Sequence, residues 1–342
     1  MRNFEGFKKG INLGGWLSQC RDKYNEEHYG SFITEADIER IKSMGLDHVR
    51  LPIDYNVVQN DDGSFIESGF AHIDSCVEWC EKNGLNIILD LHKACGFIFD
   101  DAEYCQFFSN EQLQDMFVKL WEEFSRRYGN RDNIVFELLN EVTEARFADT
   151  WNKIADRTVK AIRKIADKTR IIIGGIFNGS VYGVTLLEKP YDENIVFTFH
   201  CYSPLLFTHQ GAHWVDRLPS DFRVTYPGKA DEYGELSAKY FGSDFNKEYE
   251  PLHGERLSET YFENIFADAV KTAEKYNVPI YCGEYGVIDT ADEEGTLNWY
   301  RDIHKAFENL GIARAAWTYK EMDFGLTDKH YESIFDSLVK LL

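Results

Sequence analysis

What most constrains this chain is a rhythm of eight short apolar runs, each followed by a segment of helical period. The runs fall at 10–13, 48–51, 85–91, 133–139, 170–174, 194–200, 278–283 and 312–317. None alternates strictly between apolar and polar residues, as a sheet wetted on one face would. They read instead as strands of a parallel sheet covered on both faces. Between them Ile73, Cys76, Val77 and Cys80 recur at helical spacing, as do Leu113, Met116, Phe117, Leu120 and Phe124. Trp151, Ile154, Thr158, Ile162 and Ile165 form a third stripe, and Leu297, Tyr300, Ile303, Phe307 and Leu310 another. Thr34 and Asp37 have the spacing of a capping box, and Gly84 and Gly311 stand where C-cap glycines belong. Eight βα units point to an α/β fold, a (β/α)8 TIM barrel, with an open doubly wound sheet as the other architecture that fits. At 342 residues, the whole chain, 1–342, suits one such barrel.

The rhythm breaks once. From 208 to 262 no clean strand is written, and Pro, Gly, Trp and Tyr are scattered among charges. A structureless loop of that length has no place in a compact domain. Residues 208–262 are therefore expected to form a small, partly helical insertion after the sixth strand, on the rim where loops build a barrel's active site.

Composition narrows the function. There are 58 acidic against 37 basic side chains, a formal charge of −21. Such a surface repels phosphate backbones and anionic membranes, so neither nucleic acid nor membrane is an expected partner, while a neutral ligand is unaffected. No apolar span approaches the ~18 residues of a membrane helix, and the N-terminus has no signal pattern. A cytoplasmic protein fits, and so does a secreted one whose signal has been trimmed. Aromatic residues make up 15 %, and the excess must be either core or a binding cleft; flat aromatic faces suit the apolar C–H edges of sugar rings. The seven cysteines contain no Cys-x-x-Cys pair; Cys76 and Cys80 read as core, and whether Cys95 and Cys105 bridge one loop is left open. No dinucleotide fingerprint follows the first strand, and there is no Walker A loop, His-Glu-x-x-His or Gly-x-Ser-x-Gly elbow. The spacing of His92, His200 and Glu284 leaves a metal hydrolase open as an alternative.

A buried parallel strand should be apolar to its end, so polar residues at strand ends need a reason. Arg50, Asp90, His92, Asn140, Glu141, His200, Tyr202, Glu284 and Trp317 all lie where the runs end, and a barrel carries its catalytic groups there. At period two, His48 shares a face with Arg50, Asp90 with His92, His200 with Tyr202, Glu284 with Cys282, and Trp317 with Ala315. Asn140 and Glu141 cannot both face inward from a regular strand, so the strand must end or bulge there. Each residue alone has a plainer reading. Glu141 and Glu284 could be solvated loop carboxylates, Asp90 a loop anchor, His92 and His200 core histidines, and Trp317 a packing lid. Glu137, deeper in its strand, is expected to pair with a cation inside the barrel. Independent core residues have no cause to gather at one rim.

At these residues the chain resembles glycoside hydrolase family 5, a cellulase family built on a barrel. The resemblance is carried in order by Gly10-Ile11-Asn12-Leu13-Gly14-Gly15-Trp16, His48-Val49-Arg50-Leu51-Pro52, Leu89-Asp90-Leu91-His92, Phe136-Glu137-Leu138-Leu139-Asn140-Glu141, Phe199-His200-Cys201-Tyr202, Tyr281-Cys282-Gly283-Glu284-Tyr285-Gly286 and Ala316-Trp317. The insertion is similar to that of bacterial endoglucanases of the clostridial CelC type. The resemblance implies a general acid/base in Glu141 and a nucleophile in Glu284, with Arg50 and Tyr202 hydrogen-bonded to the nucleophile. It implies that Asn140 holds the sugar 2-hydroxyl, that His92 and His200 bind the sugar and orient the acid/base, and that Trp317 floors the subsite beside the cut bond. Two departures stand next to the site, Lys93 where the family often has a second histidine and Val142 where it often has proline. They bear on substrate preference more than on chemistry.

The expected substrate is a cellulose-like or mixed-linkage β-glucan, with a β-mannanase or other β-glycanase of the same fold, or an inactive sugar-binding barrel, as alternatives. Breaking a glycosidic bond passes through an oxocarbenium-like transition state, which needs one carboxyl neutral and one ionised at the same pH. No cofactor or metal is expected, and no feature indicates an obligate protein partner. Within the insertion, Trp214 beside His213 is expected to overhang the cleft and stack on glucose units.

Overall fold

Each of the eight apolar runs is a strand in the computed structural model, which describes residues 1–101 and 103–342. The strands β1 (Lys9–Asn12), β2 (His48–Asp54), β3 (Asn86–Lys93), β4 (Ile134–Glu137), β5 (Arg170–Gly174), β6 (Ile195–Cys201), β7 (Ile280–Tyr285) and β8 (Ala313–Ala316) each pair in parallel with the next. β1 also pairs with β8, Lys9 opposite Arg314 through Ile11 opposite Ala316, which closes the barrel and removes the open-sheet alternative.

Among the described residues seven helices wrap the outside: Glu35–Ser43, Glu67–Asn83, Glu111–Tyr128, Ala148–Arg163, Glu259–Tyr276, Glu293–Leu310 and Phe335–Leu341. Local signals set their ends. Thr34 and Asp37 form the expected capping box, and Asn110 and Asp292 accept first-turn N–H groups through their side chains. Gly84 and Gly311 close two helices in the left-handed conformation. The apolar stripes face the sheet: Ile73, Cys76 and Cys80 are wholly buried, as are Trp121 and Ile303. Burying one such side chain stabilises the fold by about 1.5–3 kcal/mol. A second apolar layer fills the barrel itself, with Ile88, Val135, Ile172, Val196, Tyr281 and Ala315 facing one another. Phe4 and Phe7, stacked at 4.8 Å, join this cluster from the end where the strands begin.

The fifth connection is unlike the others. Between β5 and β6 the chain makes a tight turn, Ile176–Gly179, and a 3-10 turn, Tyr182–Leu186, in place of a long helix. After β6, residues 205–258 hold the helix Ala230–Phe241 and the 3-10 turns Ser243–Glu248 and Glu250–Leu252 before the barrel helix starts at Glu259. Tyr226, Tyr233, Tyr249 and Leu252 in this segment belong to the same core as the barrel helices.

Two expectations are corrected. The second run is read as stopping at Leu51, yet β2 runs on through Pro52 to Asp54. Proline forfeits its own ladder bond only, and beyond it Asp54 N–H still donates to the Leu17 carbonyl at 2.9 Å. Nor does Glu284 share a face with Cys282. Phe199 stands opposite Cys282 but His200 opposite Glu284, so Gly283 is an extra residue in β7, a bulge. Cys282 faces the outer core by alternation from Tyr281, and the bulge after it keeps Glu284 on the inner side with Tyr281 and Arg50. Glycine keeps position 283 uncrowded: a Cβ there would lie 3.0 Å from the His200 ring, which would have to give by a few tenths of an ångström. All seven cysteines are free, Cys95 and Cys105 included. Among the described residues no helix is long and apolar enough to cross a membrane.

Candidate active site

The site grows upward from Arg50, which β2 points into the barrel with no exposed surface. A guanidinium has five N–H donors, and a buried one is costly unless all are used. Here Nε donates to Glu137 at 2.7 Å and Nη2 to the same carboxylate at 3.1 Å; Nη1 donates to Asn12 at 2.9 Å and Glu284 at 2.7 Å; Nη2 also donates to Asn140 at 2.9 Å. Asp90 stands 3.0 Å from Nη2. Glu137 thus has the cation expected for it. Strands β1, β2, β3, β4 and β7 are tied through this one side chain.

Glu284 is the carboxylate the network aims at the cleft. One oxygen accepts from Arg50, and the other accepts from the Tyr202 hydroxyl at 2.9 Å, with His200 Nδ1 at 3.6 Å. Burial works to raise its pKa, but the charges of His200, Arg50 and His92 and the Tyr202 hydrogen bond outweigh it, holding the carboxyl at about 2. Burial and the neighbouring carboxylates push the Tyr202 phenol far up, so it stays protonated and donates. Burial lowers the pKa of His200, yet the facing carboxylates Glu284 and Glu141 raise it further than burial lowers it.

Glu141 comes from the other side. β4 ends at Glu137, the Asn140 N–H donates to the Leu91 carbonyl at 3.0 Å, and Glu141 itself turns with φ +45°. That break lets both Asn140 and Glu141 serve the site, as the sequence required. His200 Nδ1 lies 2.7 Å from the Glu141 carboxylate. One oxygen each of Glu141 and Glu284, with a His200 nitrogen, lie within 4.8 Å of one another. The same three groups have metal-ligand spacing, and the two carboxylates already accept hydrogen bonds, Glu141 from His200 and Glu284 from Arg50 and Tyr202.

Around the carboxylates, Asp90 accepts from His92 Nδ1 at 2.6 Å, and the His92 ring lies parallel to Trp317, centroids 5.8 Å apart. Gly14 makes room for that indole, since a Cβ there would come within 2.8 Å of it. Arg50 can only donate, so the Asn140 carbonyl must face it, and the Asn140 amide is left buried with no partner among the described residues. A cleft of about 530 Å³ is lined by His92, Glu141, Tyr202, Glu284, Trp317 and Trp214 among others. Every site residue expected from the sequence therefore lies in or beside one cleft. Trp214 sits at its rim, 44 % exposed and 6.3 Å from the Phe324 ring.

Other members escaped the sequence. Asn12 and Asp54 are polar and buried at the ends of β1 and β2. Asp54 accepts from Ser18 at 2.7 Å, from the Gln19 N–H at 3.1 Å and from Tyr24, tying down the loop after β1. A polar residue just beyond Pro52 was the available signal, hidden because the run was read as stopping at 51. Gln19, Tyr24, His209, Met322 and Phe324 line the cleft from loops, which carry no periodic pattern.

A family model described as cellulase (glycosyl hydrolase family 5) matches residues 8–323. Cellodextrinase A of Ruminococcus flavefaciens is 46% identical over 316 residues, 92% of this chain and 86% of that protein. Endoglucanase C of Acetivibrio thermocellus is 39% identical over 343 residues, 98% of each chain. The crystal structure of endoglucanase Cel5A from Thermotoga maritima matches with a TM-score of 0.76 over 98% of this chain and 97% of that one; at 24% identity this likeness concerns the fold alone.

Proposed function

Because this chain belongs to glycosyl hydrolase family 5, and is a glycoside hydrolase, we propose that it is a retaining endo-β-1,4-glucanase using Glu284 as nucleophile and Glu141 as acid/base. The substrate is a cellulose-like or mixed-linkage β-glucan. The observation that carries the mechanism is the spacing of the two carboxylates, whose near oxygens are within 4.8 Å. Double displacement places them about 5–5.5 Å apart, whereas single displacement needs roughly 6.5–9.5 Å to hold a water between them.

Glu284, ionised, attacks the anomeric carbon while Glu141 gives its proton to the departing oxygen, and a glycosyl ester forms on Glu284. Glu141, now a carboxylate, takes a proton from water whose oxygen attacks the same carbon, and Glu284 leaves. The free Asn140 amide supports its role at the sugar 2-hydroxyl, a contact that strengthens in the transition state. His200 aims Glu141 by its hydrogen bond, Tyr202 and Arg50 aim Glu284, and Trp317 with its stacked partner His92 offers the sugar a flat floor. Reducing-sugar release from barley β-glucan, carboxymethylcellulose, glucomannan and mannan tests the substrate: the first two should be cut and mannan spared.

Stereochemistry tests the mechanism. Proton NMR of a fresh digest, read before mutarotation, should show the β-anomer of the new reducing end first. An α-anomer appearing first would remove Glu284 as nucleophile and make it a base acting on water. Trp214, exposed at the rim, is assigned to glucose units beyond the central one. Trp214→Ala should lower kcat/KM on long cello-oligosaccharides by about 10-fold, the worth of one aromatic stacking contact, while leaving a short aryl glycoside within about twofold. An unchanged ratio between the two substrates would return Trp214 to packing of the insertion.

A further inference from the structure

The fifth connection of the barrel has given up its helix and holds a costly piece of backbone instead. Phe177 (φ 58°, ψ 53°), Asn178 (φ 54°, ψ 45°) and Gly179 (φ 63°) run left-handed in succession. Asparagine tolerates that conformation, but a bulky residue such as Phe177 adopts it only where the surroundings impose it. Two glycines close the loop on itself, since a Cβ on Gly175 would lie 2.2 Å from Gly183 and one on Gly183 2.2 Å from the Ile176 carbonyl.

The surroundings that impose the turn are the residues next to Glu141. Phe177 N–H donates to the Thr143 carbonyl at 3.0 Å, and Asn178 N–H to the Val142 carbonyl at 3.0 Å. These bonds hold the two residues directly after Glu141, which is itself left-handed. A Cβ on Gly179 would stand 3.5 Å from the His200 ring and 3.8 Å from Glu141 Cγ, so the tip of the turn covers the His200–Glu141 hydrogen bond. Strain on both sides of one pair of backbone hydrogen bonds has no use for the barrel core, which both segments have already left.

We propose that the left-handed turn 177–179 is a positioning device for the acid/base, with Asn178 the residue that sets it. It clamps the strained backbone after Glu141 and roofs its contact with His200, so the carboxyl meets the departing oxygen rather than rotating into the open cleft. The inference rests on the reading of Glu141 as acid/base. A positioning loss should fall on the step that needs the proton, and an activated leaving group needs little of it.

The experiment compares kcat/KM on cellotetraose and on 2,4-dinitrophenyl β-cellobioside. Asn178→Val, whose β-branched side chain rejects the left-handed region, should lose about 10–100-fold on cellotetraose and less than about threefold on the aryl substrate. Asn178→Gly should restore both values. If the valine variant does not fold, Gly179→Ala decides by the same ratio: its methyl has ordinary contact distances, so its strain comes from the φ of +63° within the turn. Equal losses on the two substrates, or no loss in a folded variant, would overturn the proposal. Glu141→Gln is measured beside them: if it shows the split and the turn variants do not, only this inference fails, and if it shows none, the acid/base reading fails with it.

Discussion

Glu284→Gln should remove turnover on every substrate, by at least about 10⁴-fold, because no leaving group can replace a missing nucleophile. The amide keeps the volume and can still accept from Arg50 at the place where the carboxylate now accepts at 2.7 Å, so the fold should survive. Glu141→Gln should behave differently. On β-glucan it should lose about 10²–10⁴-fold, the usual worth of a positioned acid. On 2,4-dinitrophenyl cellobioside its kcat/KM should stay within about tenfold, since that phenolate departs without a proton. Its second step still lacks a base, so kcat should be low and rise when azide, which needs no deprotonation, replaces water. The product would be the β-glycosyl azide. Equal damage by the two changes on the aryl substrate, measured as kcat/KM, would undo the assignment of roles.

The second large effect belongs to Arg50. Arg50→Met would leave Glu137, Asp90 and Glu284 buried without the guanidinium that now contacts all three. Removing one partner of a buried ion pair typically destabilises by about 3–5 kcal/mol, and this residue has more than one partner. The sign of the pH dependence identifies the cause. In the native protein the Glu284 carboxyl is held down at about 2, so its stabilising contribution is present above its ordinary value of 4.5 and lost as the pH falls through 2. Burial already holds Glu137 above its ordinary range although Arg50 opposes it. Without Arg50 Glu137 rises further and Glu284 loses one of the charges that hold it down, and a raised acid is stabilised by protonation. Arg50→Met should therefore gain more stability than the native protein does as the pH is lowered from 7 to 5. Thermal unfolding across that range is the measurement; a variant as stable as the native protein at pH 7, with no gain on acidification, would contradict the central role of Arg50. Arg50→Lys should fall between the two, because an ammonium keeps the charge but cannot reach all five acceptors.

How much of this was legible beforehand depended on the range of the interaction concerned. Glu137 could be assigned a buried cation from its depth in a strand, but not which cation. Arg50 lies 87 residues away from it in sequence and 234 from Glu284, and only barrel closure brings the three together. The shared face of Asp90 and His92 followed from period two, and the 2.6 Å contact between them is its direct consequence. Glu284 and Cys282 broke the same rule because one extra residue, Gly283, reverses every face beyond it, and a bulge of one glycine leaves no mark on an apolar run.

What the sequence determined by itself was whatever nearest neighbours along the chain decide: eight strands, the helices with their caps, and the polar residues at the strand ends. Those follow from periodicity and from local hydrogen bonding, which act over one or two turns. What only the tertiary structure decided was the separation of Glu141 from Glu284, the use of all five Arg50 donors, the free Asn140 amide, and the clamp of the fifth loop on the residues after Glu141. Each of these depends on bringing distant segments to within a few ångströms, and side-chain charge and backbone strain acquire their energies only at that distance. A pattern of residue types can require that such partners exist, but closure of the barrel is what selects them.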